Sequence, residues 1–311
     1  MPDAVLRAAE SLSCGLFSLL FPDECRVCGD PLKTISRIPV CASCLKEPQP
    51  MAAEFFCVSC KTPFVNRSPL DESGRCLMCR EGLSGYDAVY SYGSYEGTLR
   101  KLIHVFKFDK VHTLAGPLGA LLARSLPREE RFDVVVPMPL HWKRRWQRGF
   151  NQSELLAREI ARRWNVPVEK AVRRVKASTP QAGLSNAKRR KNVAGAFSNA
   201  NRWRGVVRFV TRWVGERMSR TMRRRLRGFA KPHRLEGKRI LLIDDVLTTG
   251  ATAAACARAL KRAGAAHVTL LTVARTDRRF AVHDFLEATS ATSGAARIAA
   301  TAAGAGGNTF E

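Results

Sequence analysis

Apolar and polar positions change period along this chain, and each change marks an element. Residues 240–243 (Ile-Leu-Leu-Ile) form an unbroken apolar run, which suits a central strand buried on both faces. A second such run lies in 132–140 and stops at Pro137. Residues 267–273 give a third. Residues 86–92 alternate well enough for a strand, and 168–175 read as another, interrupted by Arg173 and Arg174. Elsewhere the period lengthens to that of a helix, over 97–108, over 114–126 and from a cap at Asn151 or Ser153 to Trp164. Residues 253–260 are Ala-rich, strong helix-forming sequence. Near the start, Val5, Leu6, Ala9, Leu12, Leu16, Leu19 and Leu20 share one broad helical face. The segment 1–23 therefore reads as an N-terminal helix packed on the rest.

The chemistry is densest directly after the 240–243 run. Asp244 and Asp245 stand side by side. Val246 and Leu247 lead into a small polar loop, Thr248-Thr249-Gly250-Ala251-Thr252, which runs straight into the Ala-rich helix. A helix N-terminus offers unpaired N–H groups and the positive end of a dipole, both favourable to phosphate. Gly250 lets the backbone approach closely, and the threonine hydroxyls add donors. Carboxylates are poor phosphate ligands, so Asp244 and Asp245 face something else. A ribose diol, which donates two hydrogen bonds, is their natural partner. Strand, acid pair, Thr/Gly loop and helix together make a device for holding a sugar phosphate.

Charge adds a second constraint. The chain has 311 residues and a net charge of +25, which points to an anionic partner such as nucleic acid, an acidic membrane surface or a polyphosphate. Basic residues gather after the 132–140 strand, at Lys143, Arg144, Arg145 and Arg148, where an α/β sheet binds anions. This stretch reads as a basic loop. No run approaches the apolar length of a membrane span.

Ten cysteines could signal an oxidised, secreted protein. Their spacing argues for metal instead. Eight fall in four C-x-x-C pairs, Cys25 and Cys28, Cys41 and Cys44, Cys57 and Cys60, Cys76 and Cys79. Two such knuckles complete a tetrahedral Cys₄ site suited to structural zinc. The spacing leaves open whether the knuckles pair in sequence or interleave, and whether the block holds one zinc ion or two. Few large apolar residues accompany them, so metal would supply the folding energy of 24–82 while the remainder folds without it. No secretory signal precedes the block, and the chain reads as cytoplasmic.

The 240–252 stretch resembles the phosphoribosyl pyrophosphate (PRPP) motif of type I phosphoribosyltransferases. Pro137-x-Pro139-Leu140 and Arg148-Gly149-Phe150-Asn151-Gln152 resemble signatures of the ComF family. Gln181, Gly183, Leu184, Arg190 and Asn192 fit that family's Q-x-G-L-S…R-x-N-V pattern, and the cysteine block resembles its double zinc ribbon. The resemblance implies an α/β fold with a type I phosphoribosyltransferase-like parallel sheet flanked by helices, behind an N-terminal Cys₄-type zinc ribbon. It implies PRPP with Mg²⁺ as ligand, Asp244 and Asp245 as the catalytic pair, and residues 244–252 as the PRPP site. Lys143, Arg144, Arg145 and Arg148 would meet the pyrophosphate, with Gln181 and Arg190 on a closing lid. The domain would span 83–276.

One segment departs from the family. Residues 198–234 carry twelve basic residues against Glu216 alone, +11 of the chain's +25. Trp203, Trp213 and Met218 fall near helical spacing with several valines, so 203–218 reads as a basic amphipathic stretch for a membrane surface or nucleic acid. Residues 277–311 end in Ala, Gly, Ser and Thr and read as a disordered tail. Three functions are compatible with these features: PRPP binding in a protein of DNA uptake or DNA handling that contacts single-stranded DNA, glycosyl transfer at C1 of PRPP to an unidentified acceptor, and regulation by PRPP.

Overall fold

The computed structural model describes residues 23–32, 36–64, 66–67, 69–82, 84–176, 195–199 and 235–276. The expected N-terminal helix, the lid residues Gln181 and Arg190, the amphipathic stretch 203–218 and the tail 277–311 lie outside the described residues.

Four parallel strands form the central sheet. They are β3 (Ala88–Ser94), β4 (Val134–Pro137), β7 (Arg239–Leu247) and β8 (His267–Arg275), in the order β3-β8-β7-β4. Parallel pairing explains the unbroken apolar runs, since both faces of such a sheet are covered. Side chains alternate accordingly. Leu241 and Ile243 of β7 enter one core with Leu271 and Val273 of β8. Ile240 and Leu242 enter the other with Val268 and Leu270.

Helix α3 (Gly97–Phe108), α4 (Ala115–Arg124) and α6 (Gln152–Trp164) cover the first face. Helix α7 (Ala251–Arg262) covers the second, through a row of buried alanines and Leu260. Small residues let this helix lie close to the strands. An antiparallel pair, β5 (Val172–Arg174) and β6 (Phe197–Asn199), joins the second core through Val172 and Phe197.

The cysteine block is built from α1 (Ala42–Lys46), the short antiparallel pair β1 (Phe55–Phe56) and β2 (Pro63–Phe64), and α2 (Leu77–Arg80). It runs along the outer edge of β3. Met51 N donates to Tyr92 O at 2.7 Å and the Tyr92 hydroxyl donates to Pro48 O at 2.9 Å, so this edge strand is not left open.

Two elements differ from the sequence reading. The strand expected to end at Ile243 continues to Leu247, because β8 offers further partners: Asp244 pairs with Thr272, Val246 with Ala274 and Leu247 with Arg275. The basic stretch after β4 is helix α5 (Trp142–Arg148), not a loop. His141 caps it, with Nδ1 accepting from Lys143 N at 3.3 Å, and Gly149 ends it at φ +79°.

Candidate functional site

The C-terminal ends of β4 and β7 open into a cleft of about 270 Å³. Its lining includes Asp244, Asp245, Val246, Leu247, Thr248, Gly250 and Thr252 from one side. Arg144, Arg148, Asn151, Gln152, Ser153, Arg174 and Lys107 line the other. A parallel sheet places its ligands at this end.

Gly250 sits at φ +76° as the N-cap of α7. An added Cβ there would lie 2.9 Å from the Tyr86 hydroxyl. Both facts require glycine: the left-handed backbone and the buried tyrosine beneath it. Ala251 N points to Thr249 Oγ1 at 3.4 Å, and the first turn of α7 opens to the cleft through Thr252.

The two acids meet different partners. Asp244 Oδ1 accepts from Ser153 Oγ at 3.0 Å and from the Asp245 backbone N at 2.9 Å. Burial, and then the neighbouring Asp245 charge, push its carboxyl up to about 7. Asp245 Oδ1 lies 2.9 Å from Lys107 Nζ, the last-turn lysine of α3. One carboxyl is therefore held by neutral donors beside a like charge, and the other is paired with a cation.

Helix α5 divides its charges. Arg144 and Arg148, four residues apart, line the cleft. Arg148 donates to Gln152 Oε1 at 3.3 Å and lies over the Phe108 ring at 5.3 Å. Lys143 and Arg145 are not among the residues that line the cleft. Lys143 lies over the Trp142 ring at 5.6 Å, and Arg145 pairs with the buried Glu154 at 3.5 Å. Glu154 also holds Arg158 at 2.5 Å and Lys170 at 2.6 Å, so Arg145 anchors α5 to α6.

Several cleft residues escaped the sequence reading. Lys107 is not among the residues that the sequence marked for the site. Ser153 registered as a cap, but Asn151 occupies the cap position, and its Nδ2 donates to Met138 O at 3.0 Å instead of capping. Arg174 carried a usable signal, a cation in an otherwise apolar strand. Its guanidinium lies over Phe197 at 5.5 Å, and burial and the nearby Arg144 lower its pKa.

The eight paired cysteines gather into two groups, Cys25, Cys28, Cys41 and Cys44, then Cys57, Cys60, Cys76 and Cys79. Knuckles therefore pair in sequence. A tetrahedral zinc with bonds of about 2.3 Å separates its sulfurs by about 3.8 Å. Cys28 Sγ and Cys41 Sγ are 3.8 Å apart, and Cys60 Sγ and Cys76 Sγ 3.7 Å. Backbone N–H groups of Cys41 and Cys76 donate to Cys25 Sγ and Cys57 Sγ, both at 3.3 Å, as suits thiolates. Both groups could hold a metal such as zinc.

Among the described residues, no helix is long and apolar enough to cross a membrane. A phosphoribosyl transferase domain model matches residues 151–289. DNA utilization protein YhgH of Escherichia coli (strain CFT073) is 28% identical over 268 residues, covering 83% of this chain and 99% of that protein. Competence protein F of Haemophilus influenzae is 28% identical over 207 residues, 64% of this chain and 78% of that protein. Competence protein ComFC of Bacillus subtilis is 27% identical over 265 residues, 83% of this chain and 87% of that protein.

Proposed function

This chain belongs to the ComF family, and from that premise we propose that it binds PRPP with Mg²⁺ and acts in DNA uptake or DNA utilisation. The observation that carries the ligand is the pairing of Asp244 and Asp245 with a glycine-capped helix start, facing Arg144 and Arg148 across one cleft. In this reading the acids hold the ribose diol. Residues 248–252 hold the 5′-phosphate at the N-terminus of α7. Arg144 and Arg148 neutralise the pyrophosphate, and Gln181 and Arg190 are assigned to the same ligand. The name DNA utilization protein of the Escherichia coli relative and the competence names of the other two support this role. We assign 24–82 to a ribbon holding two zinc ions and 83–276 to the phosphoribosyltransferase-like domain, and we place the protein in the cytoplasm, where thiolates stay reduced.

Single-stranded DNA is the macromolecular partner this reading favours. The face of α5 turned from the cleft carries Trp142, 66% exposed, and Trp146, 86% exposed, among cations. Exposed aromatics interleaved with charge suit base stacking along a phosphate backbone.

Glycosyl transfer is a second reading. It is favoured by two carboxylates on the cleft floor, which would lie beneath positive charge developing at C1. In that step the C1–O bond to pyrophosphate breaks and a C1 bond to the acceptor forms.

Isothermal titration with PRPP and Mg²⁺ tests the ligand. Asp244→Asn with Asp245→Asn should weaken binding by about 2–4 kcal/mol, the scale of two charge-assisted hydrogen bonds. Unchanged affinity in the double variant would refute the site.

A further inference from the structure

Lys107 joins two parts of the molecule. Its side chain ends on Asp245, 2.9 Å away, and both side chains are largely withdrawn from solvent, at 13% and 14% exposure. Its backbone carbonyl accepts from Gln152 Nε2 at 3.5 Å, and Gln152 Oε1 in turn accepts from Arg148. Its helix, α3, is fastened at the other end to the cysteine block. There Thr98 Oγ1 donates to Glu47 Oε1 at 2.6 Å and Lys101 Nζ reaches Val27 O at 3.4 Å.

The ion pair occupies a carboxylate that a sugar diol would need. Asp245 is an acceptor-only group. Lysine donors and diol hydroxyls compete for the same lone pairs. A ligand bearing phosphate groups also carries negative charge into a cleft that already holds two acids. A lysine suits the exchange better than its arginine neighbours. Arg148 is stacked on Phe108 and bonded to Gln152, whereas an ammonium on a four-carbon stem swings without breaking planar contacts. With the Lys107 backbone tethered by Gln152, only the side chain has to move.

We propose that Lys107 is a ligand-binding residue that changes partner: it neutralises Asp245 in the free cleft and turns to the diphosphate at C1 when the sugar diol takes that carboxylate. Lys107 thereby selects for ligands that carry a diphosphate at C1. The proposal rests on the reading of the cleft as a PRPP site.

The test is isothermal titration, in Mg²⁺, of PRPP and of ribose 5-phosphate into wild type, Lys107→Met, Lys107→Gln and Lys107→Arg, with thermal midpoints measured alongside. Methionine and glutamine should each lower PRPP affinity by roughly tenfold or more, the scale of one charge-assisted hydrogen bond. Ribose 5-phosphate should bind at least as well as to wild type, because its diol no longer competes with the lysine. Arginine should recover part of the PRPP affinity. Equal losses for both ligands would make Lys107 a structural support and overturn the proposal alone. So would unchanged PRPP affinity in the methionine and glutamine variants. If wild type binds neither ligand, the PRPP reading fails first and the role of Lys107 falls with it.

Discussion

Asp244 contributes differently to stability and to ligand binding. Its carboxyl titrates near neutrality because burial and Asp245 both oppose its ionisation. Between about pH 4 and 7 the folded state therefore holds a proton that the unfolded chain has released. Folding stability falls as pH rises through that window. Asp244→Asn keeps an oxygen for Ser153 and for Asp245 N but removes the ionisation. The variant should be more stable than wild type at pH 8 by roughly 1–2 kcal/mol, a figure discounted for partial exposure. That gain should shrink as pH falls toward 5. Urea unfolding at several pH values checks this, and a difference independent of pH would sink the argument. Gly250 offers a second test at the same scale. Gly250→Ala meets both a left-handed backbone and the Tyr86 hydroxyl, at a cost of about 1–3 kcal/mol. Adding Tyr86→Phe removes the contact and leaves the backbone strain, so the double variant should regain part of the lost thermal midpoint. No recovery would mean that the hydroxyl was not the obstacle.

Elements show why the ribbon and the cleft work as one body. Cys25, Cys44, Val27 and Val40 share a core with Leu99, Ile103 and Phe106 of α3. Cys57, Cys60, Cys76 and Phe64 share the other with Tyr86, which underlies Gly250, and with α7. The two cysteine groups thus pack into opposite faces of the sheet, although their small apolar content suggested a segment folding apart from the rest. Purified protein should hold about two metal ions per chain, four thiolates to each. Strong chelation should lower the thermal midpoint of the whole cooperative transition; a cleft domain that melts unchanged without metal would restore the separate-segment picture. Sequence spacing located α3, whose expected bounds match Gly97–Phe108. It also marked the acid pair and the glycine-capped loop, because each rests on chemistry within a dozen residues. The pairing of knuckles, the extension of β7 and the inward turn of Lys107 depend on contacts between distant segments. Lys107 and Asp245 are far apart in the chain, and nothing local to either announces the other. The basic stretch after β4 was legible as charge but not as helix, since Trp142 and Trp146 alone are too short a repeat to set a helical period.

Across the whole molecule, cation excess is the feature with the widest reach. A net charge of +25 draws any polyanion, so attraction alone does not distinguish DNA from an acidic membrane. The described surface supplies a discriminating feature in α5, where Arg144 and Arg148 turn into the cleft and Trp142 and Trp146 face solvent. A strand bound there would stack bases on the outer tryptophans and lay phosphates along Lys143 and its neighbours. Stacking and phosphate contacts respond differently to salt. Replacing Trp142 and Trp146 by alanine should weaken binding to a single-stranded oligonucleotide by about 1–3 kcal/mol per stacked base, with the salt slope preserved. Replacing Lys143 by alanine should flatten that slope, because one fewer counterion is released. Deleting 200–234 removes the whole +11 carried by the inserted segment and should flatten the slope further if the segment touches the strand. Fluorescence anisotropy over a series of salt concentrations separates these outcomes. Tryptophan variants that bind as wild type does would remove α5 from the interface. Capture of anionic vesicles in place of the oligonucleotide, lost on deletion of 200–234, would assign the charge to a membrane surface.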